Sequence, residues 1–381
     1  MEKSFSFWEQ ERFLARFDVL VIGGGLVGLM AAYQTKKQNS ALRVGVVEAG
    51  FLPTGASTKN AGFACFGSIS ELTDELEEGS SEAELLAVVE LRWKGLQLLR
   101  SILGDEIIDY EPLGGFEVFK KAQSDLAQKS LDQIGHFNSL LSDITGSSDI
   151  YRPASEKIND WGLGNTDVVI ENRLEGQIDT GKMMLALIRR VQEAGVLVFT
   201  NCRVEQIEGG SAAQTVYTNQ AKFSSRKIIV ATNAFSGSLF PELNIIPGRG
   251  QVLVTEPIPN LKIRGAFHYD RGYYYFRNVG DRILLGGGRN LDFNEEQTTE
   301  FGVTDLVQNE LEKLLTEVIL PGQKPKIDYR WSGIMAFGDE LKPIITEVIP
   351  GVYTAVRCNG MGVAMGSQMG KLVAELVVES V

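Results

Sequence analysis

The stretch Asp18–Glu48, DVLVIGGGLVGLMAAYQTKKQNSALRVGVVE, determines how the rest of this sequence is interpreted. It opens with the apolar run Val19–Ile22, which is typical of a strand buried on both faces. Glycines at positions 23, 25 and 28 follow in the spacing G-x-G-x-x-G, and the apolar residues after them indicate a helix. A second apolar strand, Val44–Val47, ends on Glu48, twenty residues after the last of these glycines (48 − 28).

Each part of this pattern has a physical role in binding a dinucleotide. Gly23 permits a tight turn, Gly25 lets backbone approach a pyrophosphate, and Gly28 lets the helix pack close to the strand. The helix N-terminus offers unpaired N–H groups to that pyrophosphate. Glu48 can accept hydrogen bonds from both ribose hydroxyls, and its charge disfavours a 2′-phosphate. A glycine-rich turn without a ligand is the alternative, but strand, glycines, helix and acid stand in register, which predicts FAD or NAD rather than NADP.

Composition narrows the class of protein. At 381 residues the chain exceeds one compact core, so two domains are expected. A net charge of −12 argues against a nucleic-acid partner. No apolar run reaches the length of a membrane span, and the N-terminus lacks the apolar core of a signal peptide. Cys65, Cys202 and Cys358 lie far apart, which predicts no disulfide framework and a cytoplasmic location. With only His136 and His268 available, no metal site is expected.

Strand and helix patterns alternate at the start, middle and end of the chain, and strand-rich segments lie between them. We therefore predict a mixed α/β fold with a Rossmann-type nucleotide-binding domain of residues 1–80, 176–240 and 340–381. Residues 81–175 and 241–339 would form an interleaved, antiparallel-sheet substrate-binding domain. Within it the pattern predicts helices at 81–103, 122–141 and 304–319, and strands at 250–255, 272–277, 282–286 and 327–332. Four aromatic residues of the N-terminal arm are expected to dock on the body: Phe5, Phe7, Trp8 and Phe13.

A second glycine-rich junction, Arg357–Val363 (RCNGMGV), lies between an apolar strand and an apolar helix. Gly360 and Gly362 would leave the N–H groups of a second helix start open to a ligand. Reduced flavin is negatively charged near N1 and the C2 oxygen, so a helix start there favours reduction. A helix start that needs glycine only for packing is the alternative. Cys358 makes a covalent flavin thioether conceivable, although a free cysteine is most often a small buried side chain.

The loop Gly55–Gly62, GASTKNAG, follows the ribose-binding acid. Its small residues would let backbone pass close to a flat ligand. Ser57 and Thr58 can hydrogen-bond phosphate, and Lys59 could offset the pyrophosphate charge. A helix N-cap followed by a tight loop explains the same residues equally well.

The run Gly272–Arg277, GYYYFR, is strongly aromatic. In a strand Tyr274 and Phe276 share one face, and Tyr273 and Tyr275 share the other. One face could line an amine or flavin pocket, where aromatic rings favour cations; the alternative is a core strand. No Ser-His-Asp, Cys-His or paired-carboxylate pattern stands out, which fits a protein whose chemistry belongs to a cofactor.

With these motifs placed, nearly the whole chain resembles the D-amino-acid oxidase (DAO) superfamily of FAD-dependent amine oxidoreductases. The group includes glycine oxidase, sarcosine oxidase and gamma-glutamylputrescine oxidase, and GASTKNAG and DRILLGGGR are most similar to the last branch. The resemblance implies FAD contacts at these residues: Gly23, Gly25, Leu26, Val27, Gly28, Glu48, Ala49, Ala56, Ser57, Thr58, Asn60, Ala61, Gly62, Val204, Ala231, Thr232, Arg357, Gly360, Met361, Gly362 and Val363.

Two departures from the family pattern are informative. Glycine oxidase-like members place a carboxylate-binding arginine two residues after the glycine of a W-x-G motif, and here that position is Met335. Carboxylate capture would then fall to one of three other arginines: Arg249, Arg277 or Arg357. Sarcosine oxidase-like members attach flavin to a cysteine near Gly333 and activate oxygen with a lysine near Leu284. Neither is present, which implies non-covalent FAD and leaves oxygen or another electron acceptor open.

The function implied by the resemblance is oxidation of the C–N bond of a small amine or amino acid. Hydride would pass to flavin N5, and the imine would then hydrolyse. Tyr274 and Met335 are the predicted catalytic pocket residues, with Phe63 or Phe66 beside them. Two alternatives remain: a non-oxidase flavoprotein subunit or dehydrogenase that passes electrons to a partner protein, and an NAD enzyme of similar fold.

Overall fold

The strand predicted at Val19–Ile22 lies in the middle of the first of two large sheets in the computed structural model, which describes residues 4–210 and 213–380. The described strands are β1 (Phe17–Ile22), β2 (Val44–Val47), β3 (Phe63–Ala64), β4 (Gly115–Lys120), β5 (Tyr151–Pro153), β6 (Thr166–Asn172), β7 (Gly176–Gln177), β8 (Leu197–Phe199), β9 (Val204–Glu208), β10 (Gln214–Thr218), β11 (Lys222–Val230), β12 (Ile246–Thr255), β13 (Ala266–Tyr269), β14 (Tyr274–Val279), β15 (Arg282–Gly287), β16 (Ile327–Phe337), β17 (Ile344–Ile349) and β18 (Val352–Val356).

The helices cover the faces of these sheets. The described helices are α1 (Phe7–Arg12), α2 (Leu26–Gln38), α3 (Ile69–Glu77), α4 (Glu82–Leu103), α5 (Ser124–Asp132), α6 (Ile134–Leu140), α7 (Ser142–Thr145), α8 (Ile158–Trp161), α9 (Thr180–Glu193), α10 (Phe293–Glu296), α11 (Asp305–Leu314) and α12 (Gly362–Glu379). Among the described residues, no helix combines the length and the apolarity needed to cross a bilayer.

The first sheet has the strand order β17-β18-β11-β1-β2-β8, and β9 and β10 extend it from β11. β1 pairs in parallel with β2 and β11, and these pair in parallel with β8 and β18. All of β1 except Asp18 is buried, as the apolar run predicted. The carboxyl ends of β1, β2, β11 and β18 therefore meet at one edge, which is where open α/β sheets bind ligands.

The second sheet has the order β16-β12-β15-β14-β13-β4-β6-β5, and its neighbours are antiparallel except for the parallel pair of β13 and β4. α11 and a π-helical turn, Leu315–Ile319, cover one face of this sheet with a buried apolar cluster. The strands of the first sheet fall within 17–47, 197–230 and 344–356, and those of the second within 115–172 and 246–337. The predicted mixed α/β fold is confirmed; the domain boundaries remain predictions.

The last helix, α12, lies directly against α2. A Cβ at Gly366 would lie 2.9 Å from the Leu26 side chain, and one at Gly370 would lie 2.7 Å from the Val27 carbonyl oxygen and 2.8 Å from the Ala31 nitrogen. Contacts advance along both helices together, so the helices run in the same direction. Because Gly366 faces Leu26, α12 begins about one turn, roughly 6 Å, before α2 does.

Several elements differ from their predictions. The helix expected at 122–141 is broken into α5 and α6, where Gly135 weakens the helix propensity. The helix expected to end at 319 leaves α-helical geometry after Leu314. Strands β10, β13 and β17 were not predicted because each is short or weakly alternating. The N-terminal arm forms α1, whose start is satisfied locally by a Ser6–Glu9 capping box. The prediction that its aromatic rings dock on the body is wrong for three of them, whose side chains are exposed: Phe7, Trp8 and Phe13.

Replacing Gly370 by alanine should push α12 away from α2, because the new methyl group has no room against the backbone of α2. We expect a loss of about 1–3 kcal/mol in the free energy of unfolding. The measurement is urea unfolding of the FAD-loaded protein. Gly135→Ala is the matched control, since Gly135 is helical with open space around it and should be neutral or slightly stabilised. Equal stability of both variants would contradict the close helix packing.

Candidate active site

A cleft of about 830 Å³ lies at the carboxyl edge of the first sheet and is closed by the second sheet. Ile22, Val47, Ala231 and Cys358 reach it from the ends of β1, β2, β11 and β18. Residues of β12, β14 and β16 form the opposite wall. This volume lies in the upper part of the roughly 300–1,000 Å³ range of cofactor and ligand sites.

The glycines of the first motif are required by the backbone around the start of α2. Gly23 has a φ of 109°, and a Cβ there would lie 2.7 Å from the Ala231 carbonyl oxygen. A Cβ on Gly28 would lie 2.0 Å from the Gly23 carbonyl oxygen, so helix and strand could not pack as they do. Gly25 is the N-cap and has no side chain to satisfy the first N–H groups of α2. The Leu26 N–H donates to the Ser57 hydroxyl at 2.9 Å, so Ser57 supplies that cap from another segment.

Glu48 holds the turn after the motif and also lines the cleft. One carboxylate oxygen accepts the Gly24 N–H at 2.8 Å, and the other accepts the Gly50 N–H at 2.9 Å. A carboxylate has about four acceptor positions, so two remain for a ribose diol. Glu48 can therefore still accept hydrogen bonds from a ribose diol, as predicted. Its two hydrogen bonds to the backbone of the turn are a further role, which the sequence did not indicate.

The second helix start, at Gly360–Val363, opens on the same cleft. Met361, the N-cap of α12, makes no side-chain cap, and Gly360 has a φ of 80° that favours glycine. The nearest atom to a Cβ on Gly360 would be the Met335 sulfur at 3.9 Å. Since α2 and α12 are parallel neighbours, two helix starts whose N-cap residues supply no side-chain cap direct N–H groups and partial positive charge at one cleft.

The loop Gly55–Gly62 is divided between the cleft and the protein interior. The Thr58 hydroxyl donates to the Pro53 carbonyl at 2.5 Å and does not line the cleft. Asn60 lines the cleft, but its side chain mainly holds the loop, because it accepts the Gly62 N–H at 2.8 Å and the Thr180 hydroxyl at 2.9 Å. The Lys59 ammonium lies 5.1 Å from the centre of the Phe301 ring rather than at the glycine motif.

Arg357 does not line the cleft, and its contact with the cofactor stays a prediction. Its guanidinium donates to the Lys342 carbonyl at 2.7 Å and pairs with Glu340 at 3.3 Å. The other two candidates for carboxylate capture are also engaged. Arg249 forms two 2.9 Å hydrogen bonds with Glu296, and Arg277 donates to the Ile178 carbonyl at 2.9 Å.

Tyr274 does not line the cleft either. Strand β14 begins at this residue, and Tyr274 lies with Phe276 in the buried cluster under α11. Tyr275 occupies the other face and lines the cleft, where its ring packs 5.5 Å from that of Phe63. The alternation of the strand was predicted, but the face that meets the cleft depends on which side α11 covers.

The predicted site residues fall into two groups, according to whether they line the cleft. Those that do not line the cleft are Gly28, Thr58, Gly62, Tyr274 and Arg357. Those that line it are Gly23, Gly25, Leu26, Val27, Glu48, Ala49, Ala56, Ser57, Asn60, Ala61, Val204, Ala231, Thr232, Met335, Gly360, Met361, Gly362 and Val363. Their contacts with FAD remain predictions.

Arg289 lines the cleft and was not singled out from the sequence. Its guanidinium carbon lies 4.0 Å from the centre of the Phe337 ring and 4.9 Å from that of Phe293. Among the described residues it has no carboxylate within ion-pair distance. Arg289 is the last residue of the family-like segment DRILLGGGR, which could have drawn attention to it. Nothing in its local pattern showed that β15 would end at the cleft.

Cys65, Glu175 and His268 also meet at the cleft, within 4.8 Å of one another. They come from the segments after β3, before β7 and within β13, so no sequence spacing links them. Burial raises the pKa of the Glu175 carboxyl to about 7 and the pKa of the Cys65 thiol well above its usual value. Burial also lowers the pKa of His268.

These features fit the cofactor that the sequence predicted. The two helix starts have open N–H groups for acidic parts of FAD, and a side chain on Gly23, Gly28 or Gly370 would disturb the cradle. Cys358 lines the cleft, but its sulfur packs 3.7 Å from the Met369 sulfur, and burial raises the pKa of its thiol to about 12. A neutral thiol is a poor nucleophile, so the donor set favours FAD held without a covalent bond.

The chain is similar to known proteins along most of its length. The model of the family "FAD dependent oxidoreductase" (DAO) matches residues 18–376. The gamma-glutamylputrescine oxidoreductase of Escherichia coli is 26% identical over 94% of this chain and 83% of its own length. The glycine oxidase of Bacillus subtilis is 22% identical over 95% of this chain and 93% of its own. The crystal structure of L-proline dehydrogenase from P. horikoshii superposes with a TM-score of 0.75 at 17% identity, covering 97% of this chain and 95% of that one.

The family match spans most of the chain and includes both helix starts of the cleft. It confirms the predicted family, the predicted cofactor FAD and an oxidoreductase activity. The chain belongs to the DAO family of FAD-dependent oxidoreductases.

Proposed function

We propose that this protein oxidises the C–N bond of a small amine or amino acid. The observation that carries the proposal is the pair of helix starts, α2 and α12, which face one cleft whose opposite wall is aromatic and apolar. The names of its relatives, gamma-glutamylputrescine oxidoreductase and glycine oxidase, support an amine or amino-acid donor. Neither relative is similar enough to give the substrate.

FAD would be held without a covalent bond by the residues of the two helix starts, the Glu48 carboxylate and the loop around Ser57. When bound, FAD supplies an acceptor, N5, for the hydride of the substrate's α-carbon. The protein's own residues then have three tasks: to bind the amine, to keep water from the reacting carbon, and to hold its protons. The oxidised substrate leaves as an imine, which hydrolyses.

The amine site that we propose lies at the wall formed by Phe63, Tyr275 and Met335. Phe63 packs against Tyr275 at 5.5 Å, and both line the cleft. Gly250 and Gly286 lie under the Tyr275 ring, where side chains would collide with it or with Met335. Such a wall excludes water and favours an ammonium group over its face. Met335 stands where other members of the family have an arginine, so it cannot bind a carboxylate.

Arg289 is the residue that we propose for binding an acidic group on the substrate. Its guanidinium is held between two rings and has no carboxylate partner among the described residues, so its charge is available to the cleft. The rings fix its orientation, which lowers the entropy lost on binding a carboxylate. This arrangement favours an amine that also carries an anionic group.

The electron acceptor is a second question. Leu284, at the lysine position of sarcosine oxidase-like members, is buried in an apolar cluster with Val252 and Val254. No charge from that position can help oxygen to react. This observation keeps the alternative that the protein is a dehydrogenase, or a flavoprotein subunit, that passes electrons to a partner.

We also propose a cytoplasmic location. The three cysteines all lie in the described part of the chain, are buried, and form no disulfide. This is typical of proteins in a reducing compartment.

The function is tested by mixing the purified yellow protein with a panel of amines and amino acids in the absence of oxygen. We expect at least one to bleach the flavin absorbance near 450 nm, on the order of seconds or faster at typical turnover rates. Air is then admitted: return of colour within seconds indicates an oxidase, and return over minutes indicates the dehydrogenase alternative. A protein without flavin absorbance, or one that no amine bleaches, would contradict the proposal.

Tyr275→Phe should lower kcat/KM by roughly fivefold, because the bound substrate would lose one hydroxyl hydrogen bond of about 1 kcal/mol. Tyr274→Phe is the matched control and should leave kcat/KM within about twofold, since Tyr274 lies on the core face of the same strand. Steady-state kinetics on variants with full FAD content make the measurement. A larger effect of Tyr274→Phe would show that the opposite face of β14 meets the substrate.

Arg289→Met should raise KM roughly 10- to 100-fold for amines that carry a carboxylate, as expected for loss of a charge-assisted hydrogen bond. Amines without an anionic group should be affected little. Arg264→Met is the control, because Arg264 pairs with Asp281 on the surface. Equal effects of Arg289→Met on both substrate classes would rule out the anchor.

A further inference from the structure

The cluster of Cys65, Glu175 and His268 has no part in the cofactor site or in the amine wall described so far. Cys65 and His268 line the cleft, and Glu175 lies behind them with 1% of its surface exposed. Their ligating atoms lie within 4.8 Å of one another. Three titratable groups thus meet beside the proposed amine site. The secondary structure of these segments does not itself call for titratable side chains at these positions.

Glu175 is held in one orientation by the backbone. One carboxyl oxygen accepts the Phe66 N–H at 2.8 Å and the Gly67 N–H at 3.1 Å. The other, Oε2, lies so close to Gly115 that a Cβ on this glycine would be 1.9 Å from it. Oε2 also lies 4.0 Å from His268 Nε2. The carboxyl group is therefore fixed with its second oxygen directed at the imidazole.

His268 is held between this carboxyl group and the amine wall. It is the cross-strand neighbour of Tyr275, and its ring packs edge-on against Phe63 at 5.4 Å. Its side chain is 12% exposed, and Nε2 is buried without a hydrogen-bond partner among the described residues. Buried polar atoms are rarely left without a partner, so such an atom needs a functional explanation.

We propose that His268, backed by Glu175, accepts the ammonium proton of the substrate. This inference rests on the proposed amine oxidation and adds the proton acceptor for it. An N–H bond of the substrate ammonium breaks, and its electron pair stays on the amine nitrogen. The proton bonds to the lone pair of the imidazole nitrogen on the cleft side. The resulting imidazolium is neutralised by the Glu175 carboxylate, and the neutral amine is then able to lose its α-hydride.

The distance of 4.0 Å between Nε2 and Oε2 exceeds a hydrogen bond by about 1 Å. Catalytic hydrogen bonds are often long before substrate binds and shorten in the complex. When an ammonium in the cleft gives its proton to the imidazole, the ring becomes positive. The attraction between this imidazolium and the Glu175 carboxylate would then shorten the distance between them. The arrangement resembles other imidazole–carboxylate pairs in which the carboxylate orients the ring and stabilises its charge.

The charged groups around His268 set the direction of its pH dependence. Burial lowers the pKa of His268 from 6.5, and Glu71 of α3 opposes this shift. Burial raises the pKa of Glu175 to about 7. On β4, Glu117 is the neighbour of His268 and its pKa is likewise raised by burial to about 7. Tyr275, on β14, is neutral because burial raises its pKa to about 12. The pair accepts a proton only when Glu175 is ionised, that is, above pH of about 7.

Cys65 and Arg277 are the other groups at this position. Burial, with Glu175 close by, raises the pKa of the Cys65 thiol well above its usual value, and Arg277 partly opposes this. Cys65 therefore stays a neutral thiol, which does not compete for the proton. A metal ion held by Cys65, Glu175 and His268 is the competing occupant, and it would need that thiol to ionise.

The first experiment uses the two histidines of the chain as reporters. In the FAD-loaded protein with labelled histidine, NMR titration should show His268 losing its proton below pH 6.5, with a second inflection near pH 7 that reports Glu175. Glu175→Gln should remove the second inflection, since glutamine keeps the backbone contacts but does not titrate. His136, which is half-exposed beside Glu82, is the internal control. A His268 signal that does not respond to Glu175→Gln would overturn the proposed pair.

The second experiment is the pH dependence of anaerobic flavin reduction by whichever amine bleaches the wild type. His268→Gln should slow reduction roughly 100-fold at pH 7.5 and only about threefold at pH 10, where a large fraction of the amine is already neutral in solution. Glu175→Gln should slow reduction at pH 7.5 and remove the acidic limb of the rate near pH 7, because glutamine cannot neutralise the imidazolium and does not titrate. His136→Gln is the matched control and should follow the wild type.

The outcomes separate this inference from the proposed function. If no amine reduces the wild type at any pH, the function itself fails. If the wild type is reduced but His268→Gln is slowed equally at both pH values, or not at all, the proton acceptor is wrong and the function stands. One equivalent of zinc in the purified protein, lost in Cys65→Ala, would show a metal site and overturn the proposal.

Discussion

The close contact between α12 and α2 is the constraint on which the cleft depends. It joins the two ends of the chain, because Gly370 packs on the backbone at Val27 and Ala31 with no room for a side chain. Parallel packing then brings the two helix starts side by side at the carboxyl edge of the first sheet. Each start alone is a weak anion site, but two of them on one cleft make a site for a long, acidic cofactor.

The floor of the cleft contains more polar groups than a core of this kind requires. Glu117 and Glu175 are buried carboxyls whose pKa values are raised to about 7 by burial. Because each folded-state pKa lies above the ordinary value of 4.5, the stability that these groups contribute is present below pH 4.5 and is lost as pH rises through about 7. Burying two ionisable acids therefore weakens the fold at neutral pH. Perturbed groups of this kind concentrate at functional sites, and one of the two borders the cleft through His268.

The parts of the fold that could be predicted are those in which local pattern and tertiary structure agree. The first motif, α4 and the start of α12 were predicted almost to the residue, because apolar periodicity and glycine-rich helix starts act over a few positions. Two side chains that were expected at the cleft lie elsewhere, because packing and backbone conformation rather than local pattern set their direction. Tyr274 and Tyr275 alternate on one strand, and only the packing of α11 decides which of them meets the cleft. Arg357 follows a strand directed at the cleft, but its backbone, with a φ of 68°, directs the side chain to Lys342 instead.

The sequence alone determined the family, the cofactor and the Rossmann-type half of the fold. Each of these depends on residues close together in the chain, whose spacing is set by strand, turn and helix geometry. Tertiary structure decided what surrounds the substrate. Arg289 lies at the cleft because the second sheet ends beneath it and Phe337 packs against its guanidinium. Cys65, Glu175 and His268 come together from segments up to about two hundred residues apart. Proximity of that kind is produced by packing, because burying the sheets against each other brings distant side chains into contact. No local sequence pattern indicates which distant residues will be in contact.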